Sequence, residues 1–131
     1  MGHKLGDVDS FGAAMGIYRI ATSLNKKAHI VINDITSSVR PMMERFLNNP
    51  DYPDDLFLTG DKACDLVDAN TALVVVDVNR PSITEAPELL TLAKTIVVLD
   101  HHRPGTRPPG ALPPPWPYSR TSLPGTSSAL W

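Results

Sequence analysis

The sequence predicts an α/β protein with a doubly wound parallel sheet. Two apolar runs at residues 73–76 and 96–99 carry this prediction, because each is rich in β-branched residues and short enough to be a strand buried in a parallel sheet. Stretches with helical spacing of apolar residues alternate with short strand-like runs along the first hundred residues. That alternation is typical of chains built from βαβ units.

Local signals predict the individual elements. A helix is expected at residues 11–21, with Asp9 or Ser10 as its N-cap, because either side chain can accept an amide hydrogen from the first turn. The small residues at 12–16 predict that this helix packs tightly on the sheet. The remaining predicted elements are strands at 28–33, 56–58, 72–77 and 95–99 and helices at 40–47, 62–68 and 87–92.

Composition excludes several classes of protein. With 131 residues, 42% of them hydrophobic, and a net charge of -2, the chain can bury a core and has no basic excess for duplex nucleic acid. The single cysteine, Cys64, excludes an intrachain disulfide and is expected to be a core residue rather than a nucleophile. No apolar run approaches the ~20 residues of a membrane span, and the amino terminus lacks a signal peptide's apolar centre. We therefore expect a cytoplasmic segment without membrane contact.

The character of the chain changes after Arg103. Residues 104–131 contain eight of the thirteen prolines, no acidic residue and no hydrophobic periodicity. Such a composition is typical of an extended or disordered segment with polyproline geometry. We therefore predict a domain at 1–103 and a proline-rich disordered tail at 104–131. A shifted or misassembled reading frame explains the abrupt change better than a proline-motif ligand, and resequencing the coding DNA would test it.

Three polar clusters contain the candidate site residues. His3, Asp7 and Asp9 precede the first helix, Asp77 ends one predicted strand, and the triplet Asp100-His101-His102 ends the last. Ligands of open α/β sheets bind at the carboxyl ends of the strands, so we expect the clusters to meet. Asp77 directly follows the four hydrophobic residues at 73–76, and a carboxylate in such surroundings is costly to bury unless it is paired. Carboxylates with imidazoles favour Mn²⁺ or Mg²⁺ over a thiolate zinc site.

These motifs resemble the DHH phosphoesterase family, which is named after the triplet at residues 100–102. The resemblance covers about residues 2–103 and includes G-H-x-x-x-D-x-D-S at 2–10 and V-D-x-x-R-P-S at 76–82. Within the family, the sequence is similar to the bacterial cyclic-di-AMP phosphodiesterases. The resemblance implies a Rossmann-like DHH domain. Compared with the family pattern, we expect this chain to lack the first strand, a further ligand aspartate beyond the triplet, and the carboxyl-terminal DHHA1 domain.

The resemblance implies a site for two Mn²⁺ ions, with Mg²⁺ as the alternative. His3 and Asp7 would hold one ion, and Asp9 and His101 would hold the other. Asp77 would bridge the two. Two such ions can activate a water molecule and stabilise both oxygens of an in-line displacement at phosphorus.

Three further residues receive roles from the same resemblance. His102 would face the substrate phosphate and either stabilise its charge or protonate the leaving oxygen. Asp100 would orient an imidazole ligand. Arg80 would contact a phosphate or brace its own loop. The implied reaction is the hydrolysis of cyclic-di-AMP to linear pApA.

The sequence leaves two alternatives open. One keeps the chemistry and changes the substrate to short oligoribonucleotides or 3′-phosphoadenosine phosphate. The other is a gene fragment without catalytic function. We expect weak or no hydrolysis from this fragment itself, and a parent protein that is anchored in the bacterial cell membrane. The resemblance also allows a dimeric parent.

Overall fold

The computed structural model describes residues 1–78, 81–100 and 129–130, which form an α/β fold with parallel strand pairs. The predicted mixture of helices and parallel strands is confirmed, whereas one doubly wound sheet stays a prediction because the described strands form two small sheets. In chain order the elements are α1 (Val8–Ser23), β1 (Ile30–Val31), α2 (Arg40–Leu47), β2 (Phe57–Leu58), α3 (Gly60–Leu66), β3 (Ala72–Val76), a 3₁₀ turn (Pro81–Ile83), α4 (Leu89–Leu92), β4 (Thr95–Asp100) and β5 (Ala129–Leu130).

The two valine-rich strands pair as predicted. β3 and β4 run parallel in a register that extends from Ala72 opposite Thr95 to Val76 opposite Leu99. Their β-branched side chains suit the pleated, half-buried surface of a sheet. β5 pairs antiparallel with the end of β4, and β1 pairs parallel with β2 in the second sheet. The carboxyl ends of β3 and β4 therefore lie side by side.

Strand β1 is shorter than the predicted strand at 28–33. Ile30 and Ile32 donate backbone hydrogen bonds to the carbonyl oxygens of Leu56 and Leu58, as a parallel partner of β2 should. The next N–H in this alternating pattern, that of Asp34, is donated to the carboxylate of Glu85 instead of to β2, at 3.1 Å. A side chain from elsewhere in the chain therefore ends this strand.

Met1 lies along the edge of β3 that faces away from β4. Its ammonium group donates to the carbonyl of Val74 at 2.8 Å, and Val76 donates its N–H to the carbonyl of Met1 at 3.0 Å. This is the hydrogen-bond pattern of a parallel pair, so Met1 runs in the same direction as β3. Residues 2 and 3 are consequently directed toward the carboxyl end of β3.

Side chains of β3 alternate between two apolar core clusters. Leu73 and Val75 belong to the first cluster with residues of α3 and α4, and Val76 belongs to the second with residues of α1 and α2. Successive side chains of a strand point to opposite faces, so β3 contributes to both cores. Within the described part of the chain, no helix has the length and apolar character needed to cross a bilayer.

Helix α1 corrects two sequence predictions. Asp7, not Asp9 or Ser10, is the N-cap, since its Oδ1 accepts the Ser10 N–H at 2.8 Å. The helix begins earlier than predicted because this carboxylate satisfies an amide of the first turn. The second correction concerns packing: of the small residues at 12–16, Ala14 is buried as predicted, whereas Gly12 and Gly16 are exposed. The helix packs through a face with helical spacing that consists of Phe11, Ala14, Met15 and Tyr18.

Candidate active site

The segment that carries His3 is fixed on two sides. Lys4 donates its N–H to the carbonyl of Ile83 at 2.8 Å, and Glu85 donates its N–H to the carbonyl of Gly2 at 2.9 Å. His3 therefore lies in an antiparallel bridge opposite Thr84. Because Met1 runs along β3, this double attachment holds His3 near the carboxyl end of that strand.

The motif at residues 2–10 folds as one hydrogen-bonded unit. The buried hydroxyl of Ser10 accepts the His3 N–H at 3.1 Å, and the Ser10 N–H is donated to Asp7. A Cβ atom at Gly2 would lie 2.0 Å from the Ser10 Oγ atom, so only glycine allows this approach. Gly2 and Ser10 thus keep His3 and Asp7 within one hydrogen-bonded unit.

Two candidate carboxylates stand at the start of α1. Asp7 and Asp9 are both exposed, and Asp9 lies in the first turn of the helix. The unpaired amides of a helix amino terminus attract negative charge, so carboxylates are favoured residues at this position. Only one oxygen of Asp7 is needed for its cap on Ser10. The arrangement leaves anionic oxygen atoms at the surface beside His3.

The imidazole of His3 is held by its own loop. Its Nδ1 atom accepts the backbone N–H of Leu5 at 3.0 Å. In the neutral ring this nitrogen therefore carries the lone pair, and Nε2 carries the proton. A cation bound at either nitrogen would have to break the Leu5 hydrogen bond, because binding at Nε2 moves the proton to Nδ1.

Asp77 ends β3 in a left-handed backbone conformation. Its φ angle is 56°, and its N–H continues the parallel ladder by donation to the Leu99 carbonyl at 2.8 Å. Asp and Asn tolerate this conformation better than other side chains, but it remains uncommon outside glycine. Conformations of this kind concentrate at functional sites. The backbone conformation of Asp77 therefore agrees with its prediction as a site residue.

Asp100 lies buried at the end of β4. It follows Leu99, whose partner in the register is Val76, so Asp100 and Asp77 occupy equivalent positions on neighbouring strands. The other predicted site residues on this side of the sheet, Arg80, His101 and His102, lie outside the described residues.

The structure brings together only part of the predicted ligand set. Among residues 1–78, 81–100 and 129–130, no three His, Cys, Asp or Glu side chains form a cluster that could hold a metal ion. One of the five predicted ligands, His101, is outside these ranges. The complete ligand set therefore stays a prediction.

Sequence reasoning missed Glu85, which lines the same cleft as His3 and Asp7. Glu85 is only 6% exposed. Burial lowers the pKa of the Met1 ammonium to about 6, and the negative charge of Glu85 opposes this shift. The sequence feature that could have revealed Glu85 is its position as the single carboxylate in an otherwise uncharged stretch, Ile83-Thr84-Glu85-Ala86. Burying such a charge requires hydrogen-bond partners.

Comparison with known proteins defines the class to which this fold and site belong. The sequence model of the DHH family, N-terminal domain, matches residues 1–128. The chain belongs to the DHH family. The resemblance inferred from the motifs is therefore confirmed. The match continues beyond residue 103, where the sequence analysis placed the end of the domain, and that boundary stays a prediction.

Several relatives are similar over about four-fifths of the chain. It is 40% identical over 110 residues to the cyclic-di-AMP phosphodiesterase GdpP of Bacillus subtilis (strain 168), which covers 80% of this chain and 16% of that protein. It is 34% identical over 106 residues to the cyclic-di-AMP phosphodiesterase PdeA of Listeria monocytogenes serotype 1/2a, with 79% and 16% covered. A membrane protein-large ribosomal subunit bL9 fusion protein of Onion yellows phytoplasma is 27% identical over 107 residues, with 79% and 13% covered. The chain thus spans about a sixth of the length of the first two relatives.

Proposed function

We propose that this chain supplies the metal-binding part of a phosphodiesterase that hydrolyses cyclic-di-AMP to linear pApA. The observation that carries the proposal is the hydrogen-bonded unit at residues 2–10, which is directed to the carboxyl end of β3, where Asp77 has a left-handed conformation. The substrate comes from the names of the GdpP and PdeA relatives.

The donor atoms suit two Mn²⁺ ions, with Mg²⁺ as the alternative. Carboxylate oxygens with imidazole nitrogens match the preferences of such cations, and the described residues include no competing thiolate at the cleft. When bound, the ions would activate a water molecule and neutralise charge on the phosphate. The ligands in this proposal are His3, Asp7, Asp9, Asp77 and His101.

The side chains of this chain perform the remaining tasks in the proposal. Asp7 holds the start of α1 with one oxygen and keeps the other for a cation. His102 donates a proton to the leaving oxygen or stabilises the phosphate charge. Asp100 orients an imidazole, and Arg80 contacts a phosphate or braces its loop.

The wider architecture is part of the same proposal. Helices α1 and α2 contribute to one core cluster beside β3, and α3 and α4 contribute to the other. This arrangement supports a doubly wound sheet. We also propose that the segment works in the cytoplasm, within a membrane-anchored, dimeric protein whose substrate is a cyclic dinucleotide.

Substitution of Asp77 tests the metal site. Asn accepts the same φ of 56°, whereas Ala adds backbone strain on the order of 1–2 kcal/mol. We expect Asp77→Asn to unfold like the wild type and to lose at least about tenfold in Mn²⁺ affinity, as measured by calorimetric titration. Asp77→Ala should lose both stability and affinity.

Asp65→Asn is the matched control, because it removes one exposed carboxylate from α3. Its Mn²⁺ affinity should equal that of the wild type. The same proteins are then incubated with Mn²⁺ and cyclic-di-AMP, with a short oligoribonucleotide as competing substrate. Slow formation of pApA by the wild type, absent in Asp77→Asn, is expected. Equal Mn²⁺ affinity in the wild type and Asp77→Asn would contradict the proposed site.

A further inference from the structure

Glu85 connects the end of β1 to the cleft. Its Oε1 atom accepts two backbone N–H groups, one from Asn33 and one from Asp34 at 3.1 Å. Asn33 returns a hydrogen bond from its side-chain amide to the Glu85 carbonyl at 2.9 Å and accepts the Gly60 N–H at 2.7 Å. Glu85 and Asn33 together thus join three segments that are distant in sequence.

Glu85 is also connected to the two segments that carry the predicted ligands His3 and Asp7. The Glu85 N–H is donated to Gly2, the residue before His3. The loop that begins at Asn33 contacts the other ligand segment, because the Thr36 hydroxyl donates to the carbonyl of Gly6 at 2.8 Å. Glu85 is therefore attached by its backbone to the His3 segment and, through its side chain and this loop, to the residue before Asp7.

A direct ion pair does not compensate the burial of this carboxylate, although its charge acts on the buried Met1 ammonium. Neither ion pair in the described part of the chain involves Glu85, since both involve Asp55. Two amides on one oxygen compensate much of the cost of burial. A shorter side chain could not reach both amides, whereas glutamine offers the same oxygen at the same distance.

We propose that Glu85 is a positioning residue that sets the separation between His3 and Asp7 through its bonds to the amides of Asn33 and Asp34. This inference rests on the proposed metal site, and it concerns hydrogen-bond geometry rather than charge. Residues around a metal site that orient its ligands commonly affect metal affinity by about 10–100-fold.

Three variants of the full 131-residue chain test the proposal. Glu85→Asp keeps the charge and shortens the side chain, Glu85→Gln keeps the reach and removes the charge, and Glu88→Asp is the control at an exposed glutamate. We expect Mn²⁺ affinity to fall about tenfold in Glu85→Asp and to stay within about threefold of the wild type in the other two. Rescue by glutamine distinguishes positioning from charge.

Hydrogen exchange of the Lys4 amide in the metal-free chain gives an independent readout. The Lys4 amide is bonded to the carbonyl of Ile83 and lies next to His3 in the sequence. It is not one of the amides that the Glu85 side chain accepts, which belong to Asn33 and Asp34. Its exchange should accelerate in Glu85→Asp and not in Glu85→Gln, while the Met43 amide in α2, bonded to Val39, stays unchanged in both. Loss of affinity in Glu85→Gln equal to that in Glu85→Asp, or no effect of Glu85→Asp on either readout, would overturn the inference.

The two proposals fail in different ways. If the wild type binds no Mn²⁺ but Lys4 exchange follows the expected pattern, the metal site is wrong and the positioning of the His3 segment stands. If the wild type binds Mn²⁺ and the exchange rate of the Lys4 amide is the same in both Glu85 variants as in the wild type, the positioning role is wrong and the metal site stands.

Discussion

At the scale of single residues, His3 has a hydrogen bond that is incompatible with metal coordination. The lone pair of Nδ1 accepts the Leu5 N–H, and binding of a cation at either ring nitrogen removes that acceptor. Leu5 is strongly exposed, so little else protects its amide from solvent. The Leu5 amide is therefore a reporter of coordination by His3.

We expect diamagnetic Mg²⁺ to shift the Leu5 amide resonance and to accelerate its hydrogen exchange, as measured by NMR. The Phe11 amide, which is bonded to the Asp7 carbonyl at 3.0 Å within α1, serves as the control and should keep its exchange rate. Saturation with Mg²⁺ that leaves the Leu5 amide unchanged would exclude His3 from the ligands.

Gly2 gives a second prediction at this scale. A methyl group there would lie 2.0 Å from the Ser10 hydroxyl, and the hydrogen bond from His3 to that hydroxyl would be lost. We expect Gly2→Ala to destabilise the chain by about 1–3 kcal/mol in urea unfolding. Gly16→Ala is the matched control, since a Cβ at Gly16 has no atom within 4 Å. It should stabilise α1 by about 0.5–1 kcal/mol, and equal effects of the two substitutions would contradict this account of the motif.

At the scale of elements, the sequence predicted those parts of the fold that depend on local signals. The β-branched runs of β3 and β4 and the Pro41 in the first turn of α2 have preferences that act within a few residues, and these elements formed close to their predicted bounds. The end of β1 and the start of α1 could not be placed in this way. The first depends on Glu85, and the second on which of three neighbouring side chains caps the helix.

The same distinction applies to the candidate site. His3, Asp7, Asp9 and Asp77 could be proposed as ligands from the sequence, because metal ligands belong to few residue types and occur in short motifs. Glu85 was missed because its partners are backbone amides some fifty residues away in the sequence. Such partners leave no local pattern.

Helix α3 carries a prediction about Cys64. Partial burial raises the pKa of its thiol, and the nearby carboxylates of Glu88, Asp61 and Asp65 raise it further. Because the thiolate is the nucleophile, Cys64 in the folded chain should react slowly with iodoacetamide at pH 7. The reaction rate should rise only above pH 9, which is the ordinary pKa of the thiol. The urea-unfolded chain is the control and should react at lower pH. Because the folded-state pKa is the higher one, the same shift costs stability as pH rises above 9. Equal rates in both states would contradict the prediction.

At the scale of the whole molecule, β3 makes the two core clusters depend on each other. Leu56 belongs to one cluster and Leu89 to the other, and each is at most 1% exposed. Val75 and Val76 are adjacent in β3 and pack into opposite clusters, so neither core can open without removing support from the strand that completes the other. Two independent cores would need separate strands. The described residues should therefore unfold as one cooperative unit.

Truncation of one leucine in each cluster tests this expectation. We expect Leu56→Ala and Leu89→Ala each to cost about 2–5 kcal/mol and each to move a single unfolding transition seen by far-UV circular dichroism and by tyrosine fluorescence. Leu92→Ala is the control, because Leu92 lies in the same helix as Leu89 but is 49% exposed, and it should have little effect. Tyr18 reports on the cluster that contains Leu56. If Leu89→Ala moved only the dichroism transition and left the tyrosine signal in place, the two clusters would be separate folding units, and β3 would not couple them.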